Sequence, residues 1–373
     1  MNTVRSPRSA PADEVPGLAP VGGTMPAGGT MPAEWARHDR TWLAFPPAND
    51  TFGRSGSSTL HRARTAWARV AETIARYEPV TVLVDPADLD SARTMLGAGI
   101  GIETVPLDDA WLRDSGPTFV HGRNGTVDAV DWVFNGWGAQ DWAVWSRDEH
   151  VGQAVAHLAG VSASQSALVN EGGGFHIDGR GTVLLTDTVQ LDPGRNPAAT
   201  KESVEAEIHA RLGTRHAIWL PRGLTRDYDD FGTRGHVDIV AAFTASGTLL
   251  LHRQDDPQHP DFEVTRLLRS ALVSAVDADG APLTIIDLPA PTVIRDDDGF
   301  VDWSYINHYV ANGVVILCAF DDPNDAVAAD ILAAAYPDRV IELVDARDIF
   351  AFGGGIHCIT QQQPAPRTPQ EMN

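Results

Sequence analysis

Cys358 is one of only two cysteines in the chain, and it stands in a polar setting, "GGGIHCITQQQP". The other, Cys318, lies in the apolar run "GVVILCAF" and reads as core. A thiol flanked by glycine, histidine, threonine and glutamine is expected to be solvated and polarised, with its pKa lowered from the usual ~8.5. A thiolate nucleophile needs a proton carrier, most often histidine. His357 is adjacent, but neighbouring residues of a strand face opposite ways, so it is expected to turn away and pack or bond elsewhere. His236, in "RGHVDIV", suits the role better. It follows a glycine at what reads as the head of a strand, and Asp238 two residues on would share its face. Asp114 in "WLRDSGP" and Glu171 in "NEGGG" are acids at two further heads of this kind. Each of these alone reads equally well as a turn acid or a solvated surface pair. Gathered in one pocket, a thiol, an imidazole and several carboxylates would suit a planar cation. A guanidinium offers forked N–H donors that carboxylates bind bidentately, leaving its carbon open to the sulfur.

The charge balance agrees with a cationic ligand. The net charge is −22, from 50 acidic and 28 basic residues, a field that repels nucleic acid and anionic membranes. Solubility alone would also explain it. Two cysteines make no disulfide framework, and none of the histidines has zinc-site spacing with them. No GxGxxG opens a helix and no GxxxxGK[ST] is present, so neither a nucleotide cofactor nor a metal is expected. No apolar run reaches the ~18–20 residues of a membrane span. The first twenty residues lack the apolar stretch of a secretory signal, which predicts a cytoplasmic protein.

The elements that must position these residues alternate between helix and strand. Residues 60–77 have helical spacing and "VTVLVD" follows as a buried strand; residues 202–213 read as a helix ended by glycine, then the strand "HAIWLP"; residues 323–337 read as a helix, then "VIELVD". Around them, five stretches share one form, a polar head running into a strand. They begin at "DDAWLRDSGP", "NEGGGFHID", "TRGHVDIV", "DWSYINHYV" and "FGGGIHCITQ". The first, second and fourth carry a hairpin signal, at Asn124–Gly125, Asp178–Gly179 and Asn312–Gly313. Five weakly similar units predict a closed, pseudo-symmetric α/β assembly whose heads meet at one central site. Residues 1–30, rich in Pro, Gly, Ala and Ser, are expected to be a flexible tail, 31–364 a single domain, and 365–373 a second tail. Met1, Met25 and Met31 are each an admissible start.

Long, ordered motifs make the chain similar to a known family from about residue 31 to 364. "MPAEWARHDRTWLAFP", "DDAWLRDSGPTFV", "NEGGGFHIDGRGTVLLTD", "LDPGRNPAATKE", "WLPRGL", "GHVD", "YVANG", "DPNDA" and "GGGIHCITQQQP" together resemble agmatine deiminase, in the branch of the guanidino-modifying superfamily that includes bacterial peptidylarginine deiminase. The resemblance implies a five-bladed α/β propeller with a central active site and no metal or organic cofactor. It implies Cys358 as nucleophile, His236 as general acid and base, Asp114 and Asp238 as the grip on the guanidinium, and Glu171 beside the histidine. The implied reaction converts agmatine to N-carbamoylputrescine and ammonia through a covalent amidino-cysteine, a step in putrescine formation.

Three features depart from the family pattern. Arg234–Gly235 stands where Asp-Gly is usual, Gly355 where Asn is frequent, and the stretch "NGWGAQDWAVWSRDEH" is short and rich in tryptophan. Arg234 near the far end of the substrate would repel an amine and favour a carboxylate; pointing outward, or paired with Asp229 or Asp230, it would not. Gly354 and Gly355 are expected to let the substrate chain approach the backbone, and Trp111 to wall its aliphatic part or to serve as core. Deiminase action on arginine or a guanidino acid is therefore one alternative. An amidinotransferase, passing the amidino group to an amine, is a second, and a non-catalytic guanidine-binding protein a third. Nothing in the sequence fixes oligomeric state, and self-association is compatible with it.

Overall fold

The computed structural model describes residues 29–245, 247–368 and 370. Among the described residues, sixteen strands form five separate sheets. The first holds β1 (His38–Ala44), β2 (Val80–Val84) and β3 (Gly101–Thr104). Next come β4 (Thr118–His121), β5 (Val127–Val133) and β6 (Ala163–Val169). The third sheet has β7 (Phe175–Ile177), β8 (Thr182–Thr186) and β9 (His216–Leu220). The fourth has β10 (Ala241–Ala245), β11 (Thr248–Arg253) and β12 (Thr284–Pro289). The fifth has β13 (Tyr309–Ala311), β14 (Val314–Ala319) and β15 (Val340–Asp345). The last strand, β16 (Thr360–Pro364), returns to pair antiparallel with β1.

One unit is repeated throughout: an antiparallel pair, a helix, then a third strand parallel to the second. The unit built from β16, β1 and β2 is assembled from both ends of the chain, with β3 added to it. Among the described residues, four hairpins turn through a glycine at positive φ, Gly125, Gly179, Gly247 and Gly313, where a side chain would be strained. The crossover helices have local reasons to form. In the Ser58–Ile74 helix the Ser57 hydroxyl accepts from Leu60 N–H, and Leu60, Ala63, Trp67, Val70, Ala71 and Ile74 fall on one buried stripe. Truncating Trp67 there to Ala costs about 3–5 kcal/mol on the usual core scale. The Lys201–Leu212 helix starts at a Thr200–Ser203 capping box and stops at Gly213, φ +68°.

Thr30 pairs with His121 through both backbone bonds, and Met31 N–H donates to Leu212 C=O, so Thr30 packs with the domain. At the other end Ala365 N–H bonds Arg37 C=O and Arg367 N–H bonds Gly125 C=O, so packing continues past Pro364. The remainder of the N-terminal segment lies outside the described residues. Among those described, no helix is long and apolar enough to cross a membrane.

Candidate active site

The heads of five strands meet in a ring of contacts. Gly173 N–H, at the head of β7, donates to Asp114 Oδ1 at the head of β4 (3.1 Å). Glu171 meets His236 at the head of β10 (3.2 Å). Asn307, at the head of β13, donates from Nδ2 to Asp238 C=O (3.3 Å). His357 N–H, at the head of β16, donates to Asn307 C=O (3.1 Å), and Arg113 N–H donates back to Cys358 C=O (3.1 Å). The sequence repeats thus bring Cys358, His236, Asp114, Asp238 and Glu171 into one cluster. All five are buried.

The local backbone differs from the strand-head expectation. His236 caps a single 3-10 turn, Val237–Ile239, and β10 begins only at Ala241. Val240 N–H closes the turn on Val237 C=O (3.0 Å), a local bond that replaces a strand ladder here. His236 and Asp238 therefore share a site without sharing a strand face. Cys358 likewise sits in a turn before β16. His357 does face away from the thiol: its Nδ1 lies 2.7 Å from Asp238 Oδ2 and its Nε2 2.8 Å from Glu34 Oε1.

Asn307 Nδ2 donates to the Cys358 sulfur at 3.3 Å, and the thiol donates to Asp238 Oδ2 at 3.5 Å. The expected fall in thiol pKa is not found. Burial pushes the pKa up, Asp238 and Asp114 push it further, and the bonds from Gly355 N–H and Asn307 only moderate the rise. The polar flank seen in the sequence does not solvate the sulfur, because the ring of heads closes over it. These effects favour the neutral thiol over the thiolate.

His236 is charged. Burial works against the imidazolium, but Asp114, the bond to Glu171, and Asp238 lift its pKa to about 9. Its Nε2 is held on Glu171, whereas Nδ1 has only Asp114 Oδ1 at 3.8 Å and no hydrogen-bond partner among the described residues. Asp114 rises to about 6, through burial chiefly, with Glu171 and Asp238 adding and His236 and the Trp137 indole opposing. Glu171 is held below the ordinary range: burial would raise it, but Arg195 and His236 prevail. Arg195 Nε lies 3.0 Å from both Glu171 oxygens and its Nη1 2.9 Å from Asp192. Asp238 is also lowered against its burial, first by the His357 bond. Its Oδ1 is buried without a hydrogen-bond partner, an acceptor left open inside the cluster.

Trp111 lies between core and site. It packs edge-on against Trp67 at 5.4 Å, and a Cβ on Gly354 would stand 2.9 Å from its ring and 3.1 Å from the Cys358 sulfur. Gly354 therefore keeps space beside the thiol that any larger residue would fill. A Cβ on Gly355 would instead run into Asn307 and Phe350, while its backbone N–H bonds the Cys358 sulfur. Arg234 pairs with neither Asp229 nor Asp230. Its Nη1 sits 3.2 Å from Asp192 Oδ2, the carboxylate that also binds Arg195.

The tryptophan-rich stretch covers the cluster. Trp137 Nε1 donates to Asp114 Oδ2 (2.9 Å), its ring stacks on Trp142 (5.2 Å), and Trp142 meets Phe231 (5.2 Å). Gly136 to Ala139 all have positive φ, a cost of about 1–2 kcal/mol for each non-glycine residue, held in place by these contacts. A cleft of about 320 Å³ near Trp35, Arg37, Arg180 and Arg367 borders none of the clustered residues. Among the described residues, no group of three or more His, Cys, Asp or Glu is arranged to hold a metal ion.

Sequence reasoning missed Asn307, Arg195, Trp137 and Glu34 as parts of the site. Asn307 lies at the head of the fourth repeat, so alignment of the heads would have found it. Arg195 and Glu34 carried no signal beyond their place in family-like motifs.

The model of Porphyromonas-type peptidyl-arginine deiminases matches residues 30–364. A Streptomyces coelicolor protein named "Putative agmatine deiminase" is 56% identical over 332 residues, 89% of this chain and 97% of that one. The agmatine deiminase of Ectopseudomonas mendocina is 37% identical over 358 residues, 90% of this chain and 95% of its own. The solved structure of the agmatine deiminase of Enterococcus faecalis has a TM-score of 0.85 to this fold at 31% identity, covering 91% of this chain and 97% of that one. The shared mixed α/β fold, the length of the match and the identities together show that the chain belongs to the Porphyromonas-type peptidyl-arginine deiminase family.

Proposed function

We propose that this protein is an agmatine deiminase, hydrolysing agmatine to N-carbamoylputrescine and ammonia through an adduct on Cys358. The observation that carries the reading is the buried cluster itself: one thiol, one charged imidazole and three carboxylates, with Asp238 Oδ1 unpartnered. Relatives named agmatine deiminase supply the substrate. We further infer a five-bladed propeller, supported by the five sheets and the ring of contacts between their heads, and a reducing, cytoplasmic setting in which both cysteines stay free.

The guanidinium sits between Asp114 and Asp238, facing the open Asp238 Oδ1. Its positive charge offsets the two carboxylates that raise the thiol pKa, so the sulfur becomes acidic only when substrate is present. As the substrate enters, the thiol loses its proton to solvent, and Asp238 keeps its negative charge for the guanidinium. The Cys358 sulfur then bonds to the guanidinium carbon, an attack whose rate depends on the fixed geometry. His236 Nδ1, the nitrogen with no hydrogen bond, gives its proton to the departing terminal nitrogen; the C–N bond breaks and ammonia leaves. Glu171, itself fixed by Arg195, keeps the ring oriented through Nε2. Water then adds to the carbon and yields a proton to His236. The C–S bond breaks, releasing the ureido product and restoring the thiol.

Arg234 no longer favours a carboxylate-bearing substrate, because Asp192 takes up its charge. The amidinotransferase alternative has no support from the relatives, which are named deiminases. The test is ammonia and ureido-product release from agmatine, arginine, guanidinoacetate, guanidinobutyrate and an arginyl peptide, with Cys358→Ser as control. Agmatine turnover well above the others, lost in Cys358→Ser, is expected. Turnover confined to a carboxylate-bearing guanidine would overturn the agmatine assignment. Amidino transfer to an added amine without ammonia release would overturn the deiminase reading.

A further inference from the structure

His357 is next to the nucleophile in sequence but does not approach the sulfur. Its ring bridges two buried carboxylates: Nδ1 to Asp238 Oδ2 at 2.7 Å and Nε2 to Glu34 Oε1 at 2.8 Å. Glu34 belongs to the segment just before β1, far from both partners in sequence. Its carboxylate is further surrounded by His176 Nε2 at 3.6 Å and Arg113 Nη1 at 3.5 Å. His38 Nε2 bonds its backbone carbonyl at 2.9 Å. Arg113 in turn donates to His357 C=O (3.2 Å) and to Gln361 (2.8 Å). Every member is buried.

We propose that His357 and Glu34 are positioning residues, and that the chain Asp238–His357–Glu34 aims Asp238 at the substrate; this rests on the deiminase reading above. A carboxylate on a short side chain can rotate about χ2, a soft torsion. The His357 bond engages Oδ2, where the thiol also donates, and so leaves Oδ1 as the acceptor open to a guanidinium N–H. A histidine carrying two N–H donors can bind both carboxylates at once, and Glu34 fixes the ring as the carboxylate behind a metal-bound or catalytic histidine does. The arrangement also keeps a buried negative charge on Asp238 with a partner that never touches the reacting atoms. Removing that partner leaves Asp238 free to turn and Glu34 with only Arg113 and His176 beside it.

The test uses His357→Gln, His357→Phe and Glu34→Gln in the full chain, and the same changes in a Cys358→Ser background for agmatine binding by calorimetry. His357→Phe is expected to lower kcat/KM about 100-fold, mostly through KM, the scale of loss that a misplaced grip brings. Its Kd for agmatine should weaken at least about tenfold (about 1.4 kcal/mol). His357→Gln, whose amide retains one donor, should recover part of both losses. Glu34→Gln, which keeps the shape and removes the charge, should fall between. A purely structural role would lower melting temperature and active fraction without changing KM or Kd of the folded enzyme, and that result would overturn the proposal. If His357→Phe does not fold, Glu34→Gln decides: unchanged KM and Kd overturn the positioning role. Turnover by the wild type with unaltered variants would refute this inference alone; no guanidine turnover by the wild type would refute the functional reading and this inference with it.

Discussion

Gly173 is the position where one atom should matter most. Its φ is not in the left-handed region, so alanine there carries no backbone strain. The added Cβ would meet His236 Nδ1 well inside 3.0 Å, a separation real Cβ atoms essentially never show. It would also stand 3.0 Å from His236 Cε1 and 3.1 Å from Asp114 Oδ1. Asp114 cannot readily yield, because Gly173 N–H and the Trp137 indole both bind it. His236 cannot swing freely, because Glu171 holds Nε2 and Arg195 holds Glu171. The ring must therefore retreat by roughly 1 Å, and it is Nδ1, the nitrogen that delivers the proton, that moves. A misplacement of that size costs about 100-fold in rate, or about 2.7 kcal/mol of activation free energy. The assay is kcat for ammonia release by Gly173→Ala, with melting temperature measured alongside. Gly99→Ala, where a Cβ meets nothing within 4 Å, serves as the neutral control. Wild-type kcat in folded Gly173→Ala would refute the placement of His236 Nδ1 as the acid.

Other consequences follow from charge. Asp114 titrates near 6 and must be ionised to take the guanidinium, and His236 must keep its proton, which it loses near 9. The pH profile of kcat/KM should therefore be a bell with limbs near those values, read as properties of the coupled cluster; a flat profile across pH 9 would exclude His236 as the acid. His236 has a raised pKa, so its stabilising interactions are complete below the unfolded value of 6.5 and fade as pH rises through about 9. Denaturant unfolding should thus show the stability gap between wild type and His236→Asn narrowing over that window, and a gap that widens would contradict the assignment. Arg195→Met leaves Glu171 as a buried charge with one partner fewer, and should cost about 3–5 kcal/mol of unfolding free energy together with most activity. Arg234→Ala breaks a half-exposed pair with Asp192 and should change stability by at most about 1 kcal/mol, with the order of preference among guanidines unchanged in the substrate panel.

The repeats were legible because hairpin turns and apolar strands leave local marks: Asn124–Gly125 and Asn312–Gly313 appear as turns, and "VIELVD" as β15. Convergence of the heads was readable as a consequence of repetition, and it brought Cys358, His236, Asp114, Asp238 and Glu171 to one place. What stayed hidden depends on depth. A polar flank around Cys358 suggested solvent, yet the residue is buried among the neighbouring heads, and that burial, with Asp238 and Asp114, raises its pKa. The partners of His357 and Arg234 were also out of reach, because Glu34 and Asp192 are brought to them by chain closure and loop packing that leave no local pattern. Arg234 faces Asp192 rather than its sequence neighbours, and His357 faces a residue 323 positions away.

The central claim is a covalent adduct on Cys358, and rapid-quench intact-mass spectrometry with agmatine tests it directly. The expected result is a transient species heavier by agmatine less ammonia, localised to the Cys358 peptide, forming and decaying at rates consistent with kcat, and absent in Cys358→Ser. Steady ammonia release by the wild type with no such species at any quench time, or persistent turnover by Cys358→Ser, would contradict nucleophilic catalysis by this thiol.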